Sequence, residues 1–231
     1  MSKALILDAG DILVYAIRGH WNLPLNYTNY PNVFAGGLKT EAEIKANARY
    51  GFIMREDVWV DGERDECIRR LLYLTAMNLE LGWGLTEAQL RELAEDFTRN
   101  PARYGWYEDV LPALHKLRKE YKLAVLSDAM PSFERFAKLW DREQLFDAIV
   151  ISTLVGAAKP APAVYNEVLR RLDCEAKDAI FVDNRPNNLE GAKNCGMRAI
   201  QMLRPGVKDA QWDGEVVHSM KELQEKLTGE I

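Results

Sequence analysis

The sequence predicts an α/β protein, a Rossmann-like doubly wound parallel sheet with an inserted α-helical lobe. Three observations carry that prediction. Short apolar runs recur along the 231-residue chain and end in polar residues; helical periodicities fill the intervals between them; and one long stretch after the first run departs from the alternation. Strands that alternate with helices require crossover connections, which are right-handed and produce a parallel sheet with its ligand chemistry at the carboxyl ends of the strands.

Taken in order, Lys3–Leu7 is a short apolar run ending in Asp8, Ala9, Gly10 and Asp11, the pattern of a fully buried strand that delivers its polar residues at its C-terminal end. Residues 15–107 break the rhythm. They open with a loop rich in Asn, Pro, Gly and aromatics and continue with three helix candidates, two of them led by capping boxes, Thr40 with Glu43 and Thr86 with Gln89. The middle candidate begins near Asp61 and runs through Ile68, Leu71, Leu72, Thr75 and Leu79 until Gly82 and Gly84 end it. Tyr104, Gly105, Trp106 and Tyr107 read as the returning hinge, with Gly105 supplying backbone freedom.

The alternation then resumes. Leu111, Leu114 and Leu117 have helical spacing, residues 122–128 form an apolar run ending in Ser127 and Asp128, and Phe133, Phe136, Leu139 and Trp140 mark the next helix. Residues 148–152 are a third run, placed before a loop that carries Gly156 and Lys159; Val164, Val168 and Leu172 follow at helical spacing. A fourth run, residues 179–184, ends in Asp183 and Asn184. Leu189, Ala192 and Cys195 are stopped by Gly196, and residues 198–203 form a last run without a polar terminus. The expected division is an α/β core of residues 1–14 and 108–231 with a helical cap of residues 15–107.

Composition narrows the function classes. With 48% hydrophobic residues a chain of this size buries roughly 70% of its unfolded surface. A net charge of −5 supplies no basic field for nucleic acid or anionic lipid. Cys67, Cys174 and Cys195 form no CxxC pair, which argues against a disulfide framework and a thiolate zinc site. The first apolar stretch is cut by Asp8 and Asp11, too soon for a signal-peptide core, and no run has the length of a membrane span. The expectation is a cytoplasmic protein, monomer or homodimer, with a small-molecule partner.

The strand ends suggest that chemistry. A carboxylate follows the first run, a serine ends the second, a lysine precedes a helix, and an Asp-Asn pair ends the fourth. One carboxylate can attack phosphorus, a second can hold a divalent metal, and a lysine with a hydroxyl can bind the transferring oxygens. These are the roles of phosphoryl transfer.

In this combination the chain resembles the haloacid dehalogenase superfamily, whose four motifs stand in order as LILDAGDIL (5–13), LAVLSDA (123–129), VGAAKPAPAVY (155–165) and IFVDNRPNNLEGAKNCGM (180–197). The insertion between the first two looks like that superfamily's helical cap, and the chain is most similar to its phosphatase branch. The resemblance implies Asp8 as nucleophile and a Mg²⁺ held by Asp8, the Gly10 carbonyl and Asp183, with Asn184 contacting it through water. It also implies that Ser127 binds phosphate, that Lys159 compensates charge around the nucleophile, and that Asn188 orders the fourth motif. Asp128 either joins the phosphate site or caps the helix starting near Pro131.

One departure matters. The second Asp of motif one, the family's general acid/base, is replaced by Gly10, and Asp11 stands one residue later. Loss of such a group costs on the order of 10²–10⁴ in rate, so the acid comes from the cap or turnover is slow. Dehalogenases carry an aromatic residue there and phosphonate-cleaving relatives a small one, with an imine-forming cap lysine for which Lys39 and Lys45 are the candidates. A phosphometabolite binder without turnover is a further alternative. The cap's candidates for substrate contact are Arg18, His20 and its aromatics, Trp21, Tyr27, Tyr30, Phe34, Tyr50, Phe52 and Trp59. The leading expectation is a Mg²⁺-dependent phosphatase of a small phosphomonoester.

Overall fold

The computed structural model describes residues 3–206 and 212–229, so the outer core boundaries at 1 and 231 lie outside the described residues. The chain begins with β1 (Lys3–Leu7) and β2 (Val14–Ala16), then enters the lobe with α1 (Glu41–Tyr50), α2 (Gly62–Leu81) and α3 (Glu87–Arg99). It returns through β3 (Tyr104–Trp106) to α4 (Val110–Leu117), β4 (Tyr121–Ser127), α5 (Ser132–Trp140), β5 (Ala148–Ile151) and the single turn α6 (Ser152–Val155). The remainder is α7 (Pro162–Leu172), β6 (Ala179–Asp183), α8 (Pro186–Asn194), β7 (Arg198–Met202), β8 (Glu215–Val217) and α9 (Met220–Thr228).

Among the described residues six strands form one sheet in the order β5-β4-β1-β6-β7-β8, and every pairing in it is parallel. The order reverses beside β1: the chain runs from β1 through β4 to the β5 edge and then returns to β6 on the other side of β1. Such a reversal opens a crevice at the carboxyl ends of the strands. Leu7 pairs with Val125 of β4 and Val182 of β6, so the residues that follow β1, β4 and β6 emerge side by side.

Alternation along the strands builds a core on each face. Leu5 and Leu7 point into a layer shared with α4, α5 and α9 through Leu114, Phe133 and Leu223. Ala4 and Ile6 point into the opposite layer, where Val164, Val168 and Leu189 of α7 and α8 cover them. A third cluster, with Phe34, Tyr73, Leu74, Met77, Leu93 and Phe97 at its centre, belongs to the inserted lobe. Both capping boxes close as the sequence predicts, Thr40 with Glu43 and Thr86 with Gln89.

Several elements differ from the sequence reading. The extent of α2 is as predicted, ending at Gly82 in the left-handed conformation, but the face it buries is not. Ile68, Leu72 and Leu79 are exposed, while Glu66, Arg70, Tyr73, Leu74 and Met77 turn inward. The reason is polar: Glu66 pairs with Arg70 at 2.6 Å and also accepts from the backbone N and Oγ of Ser132 at the start of α5, both at 2.7 Å. This buried network fixes the lobe to the core. Leu111 and Leu139 likewise face outward, beside inward neighbours Val110 and Phe136. The hairpin of β2 with β3, and β8 with α9, were not anticipated; three-residue strands leave little periodicity to read.

Gly105 lies within β3, where a Cβ would stand 2.4 Å from Cζ of Tyr15, so a side chain there must displace the Tyr15 ring. Gly105→Ala is expected to cost about 1–3 kcal/mol through overpacking, measurable as a shift in the denaturant midpoint; an unchanged midpoint would show that the hairpin yields freely.

Candidate active site

The crevice at the sheet reversal is a cleft of about 280 Å³ between core and lobe. Asp8, Gly10, Ser127, Asp128, Lys159, Asn184 and Asn188 all line it. Wider, shallower depressions occur elsewhere, such as that beside Lys3, Arg118 and Asp147 at the opposite ends of β1 and β4, but they hold none of the predicted site residues.

Lys159 organises the centre. Its Nζ donates to Asp8 Oδ1 at 2.6 Å, to Asp183 Oδ2 at 2.9 Å and to the Leu126 carbonyl at 3.2 Å. Its backbone N donates to Asp128 Oδ1 at 3.0 Å. Asp128 therefore anchors the lysine loop and does not cap α5, whose first amide is taken by Glu66 from the lobe. Asp183 is fully buried, its Oδ1 accepting from Arg185 N at 2.8 Å and its Oδ2 from Asn188 Nδ2 at 3.0 Å. Asn188 is itself held through its carbonyl, which accepts from the Tyr165 hydroxyl at 2.7 Å.

Three carboxylates share this one lysine. Burial pulls the Lys159 ammonium down, but the charges of Asp183, Asp8 and Asp128 outweigh it and hold the ammonium above the usual lysine range. Burial pushes Asp8 up to about 7, with Asp183 reinforcing the rise and Lys159 opposing it. Asp128 is also raised, first by burial. The groups around the Lys159 ammonium are carboxylate and carbonyl oxygens. That chemistry fits Mg²⁺, which is bound through one or two carboxylates with water and substrate phosphate. Among the described residues no group of three or more His, Cys, Asp or Glu forms a dedicated metal cage.

Of the predicted lobe residues, His20 and Trp21 reach the cleft. The His20 ring accepts at Nδ1 from Asn22 N at 3.0 Å, and burial lowers its pKa, which leaves it neutral. Arg18 turns away, donating to the Leu25 carbonyl and the Thr28 hydroxyl. Phe34 is in the lobe core, Tyr27, Tyr30 and Tyr50 pack against it, and Phe52 and Trp59 are exposed. Lys45 pairs with Glu41 on the surface and Lys39 is exposed; neither lines the cleft, so neither stands where an imine-forming lysine is needed. Sequence reasoning missed three charged lining residues, Glu56, Arg70 and Arg103, which belong to no motif.

The reversal of this parallel α/β sheet brings a buried aspartate pair onto one lysine. Residues 71–202 match the family described as haloacid dehalogenase-like hydrolase, and the chain belongs to that family. It is 30% identical over 109 residues to the glyceraldehyde 3-phosphate phosphatase of Methanopyrus kandleri, covering 46% of each chain. To the phosphoserine phosphatase of Thermus thermophilus it is 32% identical over 142 residues, 58% of this chain and 56% of the relative. The chain thus spans about half the length of these curated relatives. Among solved structures, a 2-haloacid dehalogenase from Pseudomonas syringae superposes with a TM-score of 0.66 at 21% identity over the full length of both chains. A phosphatase of this family from Thermococcus onnurineus gives 0.63 at 21% identity, covering 98% of each. These likenesses establish the fold. Among the described residues no helix is long and apolar enough to cross a membrane.

Proposed function

We propose that the chain is a Mg²⁺-dependent phosphatase acting on a small phosphomonoester, with residues 15–107 as the cap that encloses it. The observation that carries this reading is the Lys159 ammonium held between Asp8 and Asp183 at the floor of the cleft, with Ser127 beside them. Asp8 presents a carboxylate oxygen to phosphorus, and its attack transfers the phosphoryl group to that oxygen. Ser127 and Lys159 hold the non-bridging oxygens, and water then releases phosphate from Asp8. Asp8, the Gly10 carbonyl and Asp183 would hold Mg²⁺, with Asn184 reaching it through water. When bound, the ion supplies charge compensation for the phosphoryl oxygens. Asn188 and Arg185 orient Asp183 by donating to its two oxygens.

The test is phosphate release from a panel of sugar phosphates, phosphorylated amino acids and p-nitrophenyl phosphate, with Mg²⁺ or EDTA. Release with Mg²⁺ and its loss in EDTA are expected. Halide release from 2-haloacids that is indifferent to EDTA would overturn the reading.

A further inference from the structure

The position of the missing motif-one acid is crowded, and another carboxyl lines the same cleft. A Cβ on Gly10 would lie 3.3 Å from Cζ2 of Trp21, so a side chain there would have to displace the indole of the lobe by a few tenths of an ångström. Asp11 lines the cleft but adopts a left-handed backbone, φ 59°, and its charge acts on the Tyr107 phenol at the hinge. On the other wall, the loop before α2 carries Glu56 into the same cleft.

That loop is pinned to the core rather than hanging free. Val60 N donates to the Thr153 carbonyl at 3.0 Å, and Trp59 lies against Gly156 at the start of the Lys159 loop. The Glu66 network holds the following helix down on α5. No described residue hydrogen-bonds the Glu56 carboxyl.

We infer that Glu56 is the general acid and base of this site, taking the place of the absent motif-one aspartate. The assignment rests on the phosphatase reading. When Asp8 attacks phosphorus, the ester P–O bond breaks, its electron pair goes to the departing oxygen, and the Glu56 carboxyl donates its proton there. The resulting Glu56 carboxylate then takes a proton from water as that water's oxygen bonds to phosphorus. The P–O bond to Asp8 breaks with its pair returning to the Asp8 carboxylate, leaving inorganic phosphate and a protonated Glu56.

The surroundings suit the role. Burial in the cleft wall and then the charge of Asp128 push the Glu56 carboxyl up to about 8, against Arg185, Arg70 and Lys159. Asp8, Asp11, His20, Arg103 and Tyr104 are the other titratable groups lining the cleft. A carboxyl of this kind is protonated at neutral pH and can donate, and its proton is lost as the pH rises through about 8.

The experiment compares Glu56→Gln with the wild-type chain, with Mg²⁺ present, on an alkyl phosphate and on p-nitrophenyl phosphate. A nitrophenolate leaves without being protonated and an alkoxide does not. Glu56→Gln should therefore lose roughly 10²–10⁴-fold in kcat/KM on the alkyl ester while keeping kcat/KM on the nitrophenyl ester within a few-fold. Its alkyl-ester profile should lose the fall above pH 8. Without a base for the water step, nitrophenolate should appear as a burst of about one equivalent per site. Equal loss on both esters would assign Glu56 a structural role, and no loss on either would remove it from the mechanism; each overturns the inference. A selective alkyl-ester loss in Asp11→Asn would do the same by naming another acid. No phosphate release from either ester by the wild-type chain would instead overturn the phosphatase reading itself.

Discussion

Asp8→Asn is expected to lose phosphate release by on the order of 10⁴–10⁶ while the protein stays folded. The amide cannot form the acyl phosphate, and no neighbouring carboxylate is free to replace it. Asp183 is fully buried with both oxygens engaged, and Asp128 is tied to the Lys159 backbone. Folding should not suffer. The Asp8 carboxyl is pushed up by burial and by Asp183, so its ionised form is disfavoured in the native state and a neutral amide removes that cost. Lys159 retains Asp183 and the Leu126 carbonyl. The check is paired: phosphate release, with acid-quench trapping of a phosphorylated chain, against a thermal melt. A variant that still accumulates the phosphorylated chain would place the nucleophile elsewhere, and one that melts well below the wild type would make the lost activity uninformative.

Glu66→Ala should give the largest change in stability, about 3–5 kcal/mol, because it leaves one member of a buried ion pair uncompensated. Arg70 would remain 4% exposed without its carboxylate, stacked on Phe97 at 3.8 Å, and the amide and hydroxyl of Ser132 would lose their acceptor. For a chain of this size that corresponds to a fall in Tm of roughly 6–20 °C. Glu66→Gln keeps an acceptor and should cost less. A loss below about 1 kcal/mol in Glu66→Ala would mean that water reaches Arg70 and that the lobe separates readily from α5.

Much of this site was legible because the sheet is parallel. Each buried strand announces itself as an apolar run, and a parallel sheet places every run's last residues at the same edge. Asp8, Ser127 and Asp183 could therefore be grouped from the sequence, and the Lys159 loop joined them as the connection leaving β5. Glu56 had no such signal. It sits in an irregular loop, it belongs to no periodic pattern, and its position depends on the lobe folding back over a crevice built from residues up to 132 positions away. Glu66 and Arg70 were hidden for a different reason. An acid and a base four residues apart usually mark a solvated helix face, and only the amide at the start of α5 explains why this pair turns inward. The leucines of α2 misled in the complementary way, since apolar residues lie nearly all around that helix.

The β2–β3 hairpin has a topological consequence for the lobe as a module. Its two strands pair antiparallel, with Ala16 opposite Tyr104, and Ile17 N donates to the Arg103 carbonyl at 2.9 Å. The chain thus leaves and re-enters the sheet domain through one doorway, and a tight turn of a few residues would span it. The whole excursion is joined covalently at one place, so it can be lengthened, shortened or exchanged without rethreading a strand, while the Glu66–Ser132 network and the Val60–Thr153 bond hold it down elsewhere. What would go with it is Trp21, His20, Glu56 and Arg103. The bare sheet would keep Asp8 and Lys159 and lose the proposed acid and the roof, leaving a floor open to bulk water.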